Sequence, residues 1–148
     1  MLSESQNKIV KRAFNILLKD SLNGEPITDD TRAAEICQLS AAKYEKEVFG
    51  VLFLNNQNQL IAHEILFTGC LTSASVYPRQ VLTKVLHYSA SCIIIFHNHP
   101  SGNLEFSMAD RQITEKLVKG LSLFDVRILD HVLVTKSGTT SMAKYGLI

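Results

Sequence analysis

The sequence predicts a single α/β domain in which a mixed β-sheet is flanked by helices. Three observations carry this. First, short apolar runs alternate with segments of helical periodicity, in the order helix, helix, β-β-α-β-α-β-β. Second, residues 48–54 are apolar on both strand faces, as a central strand covered by helices on each side requires. Third, 148 residues suffice for one domain that buries roughly two-thirds of its unfolded surface, and the chain holds no repeat or internal linker.

A first helix is expected over residues 6–20, where Ile9, Ala13, Ile16 and Leu17 fall at helical spacing. Gly24, Glu25 and Pro26 break it. The second helix takes its N-cap from among Thr28, Asp29 and Asp30 and turns Ala33, Ile36 and Cys37 inward. Residues 1–30 therefore read as a helical appendage and residues 31–148 as the domain proper.

The strand at 48–54 turns at Asn55, Asn56, Gln57 and Asn58, and residues 60–67 return as its antiparallel partner, ended by Gly69. Pro78 suits the first position of a helix, with Val81, Leu82, Val85 and Leu86 as its buried stripe. A buried strand follows at 91–96, then a helix opened by Ser107 with Ile113, Leu117 and Leu121 facing the core. Residues 126–134 are strongly apolar apart from Asp130 and His131, and Ser137-Gly138 turns into a short last strand before Tyr145.

Composition excludes several function classes. A net charge of +1 gives no global pull toward nucleic acid or an acidic membrane surface. No stretch approaches the ~20 apolar residues that span a bilayer, and no basic segment precedes an apolar run at the N-terminus. Cys37, Cys70 and Cys92 are odd in number and lack a CxxC pair, which fits reduced thiols in a cytoplasmic protein.

The densest chemistry lies between His97 and Asp110. His97 and His99 end a strand, where side chains two apart share a face about 6.6 Å apart, so both imidazoles can reach one ion while Asn98 points away. Pro100 and Gly102 break the strand, and Asp110 sits in the first turn of the Ser107 helix. Two imidazoles and a carboxylate are a common ligand set for catalytic zinc, which keeps a fourth position for water. The same trio also holds iron(II) in oxygenases, although nothing else here suggests a co-substrate site. Ser107-x-x-Asp110 is equally a capping box that needs no metal. On the residues alone both readings stand.

Other polar residues carry less. Asp130-His131 reads as a polar pair at a strand edge, the alternative being a partner that orients a ligand histidine. His63 and His87 fall at ordinary strand and helix positions. Cys70 has no base in sight to activate it as a nucleophile, and Arg79 opens a helix as a solvated cation. Arg111, Lys116 and Lys119 make an ordinary helix surface.

His97-x-His99-Pro100 followed by Ser107-x-x-Asp110, with Glu47-Val48-Phe49, Pro78-Arg79, Ser101-Gly102, Ile113-Thr114 and Leu129-Asp130-His131 around them, resembles the JAB/MPN+ (JAMM) metallopeptidase domain. More narrowly the chain resembles short, prophage-associated RadC-family proteins, over residues 30–148 and weakly over the first helix. The resemblance implies a cytidine-deaminase-like α/β architecture and one zinc ion per chain held by His97, His99 and Asp110. It implies Glu47 as the general base toward an activated water and Ser107 as a group that holds the oxyanion. Glu45 competes with Glu47 by strand parity. The implied activity is hydrolysis of a peptide or isopeptide bond in a peptide or protein substrate. A DNA-repair-associated role with nucleic acid as partner, inherited from the family name, and a metal-binding scaffold without turnover are the alternatives.

The chain departs from the family text at three positions. Phe106 replaces the proline before the motif serine, Tyr77 stands where a histidine is common, and Cys70 where threonine is common. Phe106 releases the fixed proline φ, so a looser loop is expected there.

Overall fold

The computed structural model describes residues 2–69 and 75–148. Helix α1 (Glu4–Leu22) begins at a capping box in which Ser3 accepts from the Gln6 backbone N–H and the Gln6 side chain reaches back to Ser3 N–H at 2.8 Å. Helix α2 (Asp30–Ala41) takes Asp29 as N-cap, its carboxylate accepting from Arg32 N–H at 2.7 Å. Strands β1 (Val48–Leu54) and β2 (Leu60–Thr68) form the expected hairpin, and α3 (Pro78–His87) follows with its proline in the first turn. Then come β3 (Cys92–Asn98), α4 (Met108–Ser122), β4 (Arg127–Thr135), β5 (Gly138–Ser141) and a single 3₁₀ turn (Ala143–Tyr145).

The five strands lie in the order β2-β1-β3-β4-β5. β1 is antiparallel to both β2 and β3, β3 and β4 are parallel, and β4 and β5 close an antiparallel hairpin. The sheet is therefore mixed, and α4 supplies the crossover that a parallel pair needs. Alternation sorts the strand side chains onto two faces. Phe49, Val51, Phe53, Ile93 and Ile95 pack with Val81, Val85, Ile113, Leu117 and Leu121 under α3 and α4. Leu52, Leu54, Ile94, Phe96, Val132 and Val134 pack with Ile36 and Cys37 under α2. All seven residues of β1 are buried, as its apolar text requires.

On the α2 face, Gly50 lies opposite Phe96 across the β1–β3 ladder. A Cβ on Gly50 would overlap the Phe96 ring, so the missing side chain makes room for a fully buried aromatic.

Two helix faces differ from expectation. Ile9 and Ile16 of α1 are 68% and 55% exposed, whereas Phe14 and Leu18 pack against the core. Helix α1 carries apolar residues around more of its circumference than its partners α2 and β2 cover. The Phe14 ring, set edge-on to His63 at 4.7 Å, marks the face that docks. In α3, Val81 and Val85 are buried but Leu86 is 63% exposed. Leu86 stands about 100° around the helix from Val85 and points off the sheet. The β4 strand also runs unbroken through Asp130 and His131, which are buried rather than at an edge.

Among the described residues, no helix is long and apolar enough to cross a membrane. Cys37 and Cys92 are unbridged and buried, and burial pushes both thiols up, which makes them poor nucleophiles. Cys70 lies outside the described residues.

Candidate metal centre

Strand alternation carries the face of Phe49, Ile93 and Ile95 on to Glu47, His97 and His99, and α4 lies over that face. β3 runs two residues further than its apolar core and includes His97, while His99 continues the ladder by donating its N–H to Val134 carbonyl at 2.9 Å. Gly102 adopts φ +84 in the connecting loop, a left-handed value suited to glycine. Ser107 then caps α4: its hydroxyl accepts from Asp110 N–H at 3.1 Å and its N–H donates to Asp110 Oδ2 at 2.7 Å. The capping box and the candidate ligand set thus share Asp110, because the cap fixes the carboxylate that faces the histidines.

Glu47, His97, His99 and Asp110 each present one ligand atom, all within 4.8 Å of one another. His97 Nε2 lies 3.1 Å from Asp110 Oδ1, His99 Nε2 lies 3.3 Å from Asp110 Oδ2, and the two Nε2 atoms are 3.0 Å apart. Tetrahedral zinc with bonds of about 2.0–2.1 Å spaces its ligand atoms by about 3.3 Å, close to the separation of the two Nε2 atoms and of each from its nearer Asp110 oxygen. His97 and Asp110 are buried, and the His99 side chain is 14% exposed, which leaves an approach from solvent on its side.

The donor set fits a cation. His99 Nδ1 lies 2.9 Å from the Asn103 carbonyl, which can only accept, so Nδ1 carries a proton and Nε2 is the nitrogen left to offer a cation its lone pair. Burial pushes the Asp110 carboxyl up. The hydrogen bond and charge of His97 and the two hydrogen bonds with Ser107 more than offset this and hold it well below the usual carboxylate range. With no ion between Asp110 and the imidazoles, the His97 ring supplies that donor and charge, and a bound cation would take the place of its Nε2 proton. The residues present therefore suit a divalent ion.

Sequence reasoning left two of the supporting groups unassigned and misjudged a third. His131, read as half of an edge pair, is 1% exposed, with its Nε2 2.7 Å from His97 Nδ1. Burial, with the adjacent His97 second, pushes its imidazole well below the ordinary histidine range. Thr114, one turn after Asp110 on α4, bonds both His131 Nδ1 and the Asp110 carbonyl. Asn98 Oδ1 accepts from Val48 N–H and its Nδ2 donates to Lys46 carbonyl. The available signal was a polar pair inside an otherwise apolar strand, together with the i, i+4 relation of Asp110 and Thr114.

Phe106, expected to loosen the loop, packs its ring 6.2 Å from His97 and 5.5 Å from His131. It covers the imidazoles where a proline would only have fixed the backbone. Asp130 faces away from the centre and accepts from His131 N–H, Ser141 Oγ–H and Ala143 N–H, tying β4 to β5 and the 3₁₀ turn. His87, Arg79 and Tyr77 are exposed, while His63 is half-buried against Phe14. Arg111, Lys116 and Lys119 are exposed on α4, Lys119 pairing with Glu115 at 2.8 Å. Glu45 is exposed, and Glu47 is the glutamate that joins the cluster.

Comparison with known proteins agrees with this architecture. Residues 27–147 match the family model described as a RadC-like JAB domain. A UPF0758 protein of Vibrio cholerae is 44% identical over 141 residues, covering 95% of this chain and 89% of its own length. The UPF0758 protein YeeS of Escherichia coli K12 is 41% identical over 148 residues, covering 99% of this chain and all of its own. A UPF0758 protein of Verminephrobacter eiseniae is 50% identical over 111 residues, which are 75% of this chain and 47% of that protein. The α/β architecture, the mixed sheet and a family match over most of the chain agree, and the chain belongs to the RadC-like JAB domain family.

Proposed function

We propose that this domain is a zinc-dependent hydrolase that cleaves a peptide or isopeptide bond. The observation that carries the reading is the convergence of His97, His99 and Asp110 at zinc-ligand spacing with Glu47 inside the same 4.8 Å cluster. Three protein ligands leave one position open, the arrangement of catalytic rather than structural zinc sites.

When bound, zinc supplies a Lewis acid that brings the ionisation of water near neutrality. Glu47, whose carboxylate lies within the same cluster, would take the proton of the attacking water as the water oxygen bonds to the carbonyl carbon. The same carboxyl would then return that proton to the amide nitrogen as the C–N bond breaks, and the second proton of the water follows, leaving a carboxylate and an ammonium. Ser107 Oγ accepts from Asp110 N–H, and its own hydrogen would turn from the Asp110 carboxylate to the oxyanion as that charge develops. Phe106 adds an apolar ring beside His97 and His131.

A screen of peptide and isopeptide substrates, run beside metal analysis, tests the reading. The wild type is expected to carry about one zinc per chain and to lose cleavage on chelation. Glu47→Gln is expected to keep the zinc and lose at least about a hundredfold in rate. His99→Ala is expected to lose both. A protein that takes up no zinc, or cleavage that persists in His99→Ala, contradicts the proposal.

A further inference from the structure

His97 offers zinc its Nε2 only if its proton sits on Nδ1, and an imidazole in water is free to choose either nitrogen. For His99 the choice is made by a backbone carbonyl, which can only accept. For His97 the neighbour is another imidazole, His131, which can donate or accept. Something further along must set the direction.

The chain of hydrogen bonds continues from His131 Nδ1 to Thr114 Oγ1 at 2.5 Å, and from Thr114 Oγ1 to the Asp110 carbonyl at 2.8 Å. It therefore starts on one metal-ligating residue and ends on the backbone of another. A threonine hydroxyl has one hydrogen. If that hydrogen goes to the Asp110 carbonyl, Thr114 accepts from His131 Nδ1–H, and His131 Nε2 is left to accept from His97. His97 then carries its proton on Nδ1 and turns the Nε2 lone pair toward Asp110 and His99. Run backwards, the chain puts a proton on His97 Nε2 and fills the place of the ion. Thr114 and His131 are 3% and 1% exposed, and the Phe49 and Phe106 rings stand 6.0 and 5.5 Å from His131. Water is thus kept from replacing a missing partner.

We infer that Thr114 and His131 are positioning residues that hold His97 in its metal-binding tautomer by passing hydrogen bonds in one direction to the Asp110 carbonyl. The inference rests on the zinc reading above and assigns no contact between these two residues and substrate. The relay couples the ligand on β3 to the helix that carries the third ligand. Metal binding and the seating of α4 on the sheet are thereby joined.

The test compares zinc affinity of the full chain, by chelator competition, in wild type, Thr114→Val and Thr114→Ser, with two-bond ¹H–¹⁵N spectra of the zinc-loaded wild type. Valine keeps the shape of threonine and removes the acceptor for His131 Nδ1–H. It is expected to weaken zinc binding by about ten- to a hundredfold, the range typical of lost partners behind a metal ligand. Serine keeps the hydroxyl and is expected to stay within about threefold. The spectra are expected to show both His97 and His131 protonated on Nδ1. Equal affinity in the valine variant, or a proton on His131 Nε2 in the loaded wild type, overturns the relay. The spectra decide the matter even if the valine variant fails to fold. A wild type that takes up no zinc overturns the zinc reading itself, a different outcome from zinc binding that ignores Thr114.

Discussion

Asn98 grips the backbone on both sides of Glu47. Its Oδ1 accepts from Val48 N–H at 2.6 Å and its Nδ2 donates to the Lys46 carbonyl at 3.1 Å, so the side chain between the two histidines fixes where β1 begins. The residue that alternation turns away from the candidate metal centre thus aligns the strand carrying the candidate base. Asn98→Ala leaves Val48 N–H buried without this acceptor, and is expected to cost about 1–3 kcal/mol in urea unfolding. Zinc content should stay near wild type, because no ligand is removed, while cleavage falls with the displacement of Glu47. An unchanged unfolding midpoint contradicts the clamp.

Zinc should stabilise the fold by mass action. Free zinc at 100 times its Kd contributes about 2.7 kcal/mol, which for a chain of this size raises Tm by roughly 5–10 °C. Scanning calorimetry with and without chelator measures this. His99→Ala should flatten the response, and an equal rise in that variant would place the binding elsewhere.

Gly50→Ala should destabilise by about 1–3 kcal/mol, because the new methyl overlaps the Phe96 ring at the centre of the sheet and neither strand can retreat. Urea unfolding reads the loss directly. Retained stability would show that Phe96 has another rotamer open to it.

A pH-dependent contribution is expected at Glu64. Burial pushes its carboxyl up, but the Tyr88 hydroxyl at 2.6 Å, the Lys84 ammonium at 2.9 Å and the nearby His87 together hold it below its ordinary value. A carboxyl lowered in the folded state adds stability that is complete above its unfolded pKa of about 4.3 and is lost as pH falls through the folded value. The group is partly exposed, so about 1 kcal/mol is the ceiling. Glu64→Gln should therefore be less stable than wild type at pH 7 and equal to it near pH 3 (about one unit below the free carboxyl). A gap that persists in acid would assign the effect to packing.

Much of this was legible in the text because local rules and tertiary structure agree. Val48–Leu54 could only be a covered strand, and Ser107-x-x-Asp110 sets both a helix start and a carboxylate position. His97 and His99 share a face by strand parity alone. The orientation of His131 was not legible for a specific reason. Ile128 faces α4, and strict alternation would bring Asp130 to that face next. A register shift in the β3–β4 ladder after Ile93, where Ile94 pairs with Asp130, brings His131 there instead. Nothing in a run of apolar letters marks one extra residue between strands. The docking face of α1 escaped for another reason: Ile9 and Ile16 satisfy helical spacing as well as Phe14 and Leu18 do, and only the partner surface chooses between them.

Zinc K-edge X-ray absorption of the zinc-loaded protein tests the central claim most directly. The account predicts one zinc per chain with only nitrogen and oxygen neighbours at about 2.0–2.2 Å and outer-shell scattering from two imidazoles. A sulfur neighbour at about 2.3 Å, or a spectrum with no imidazole scattering, would contradict a centre built from His97, His99 and Asp110.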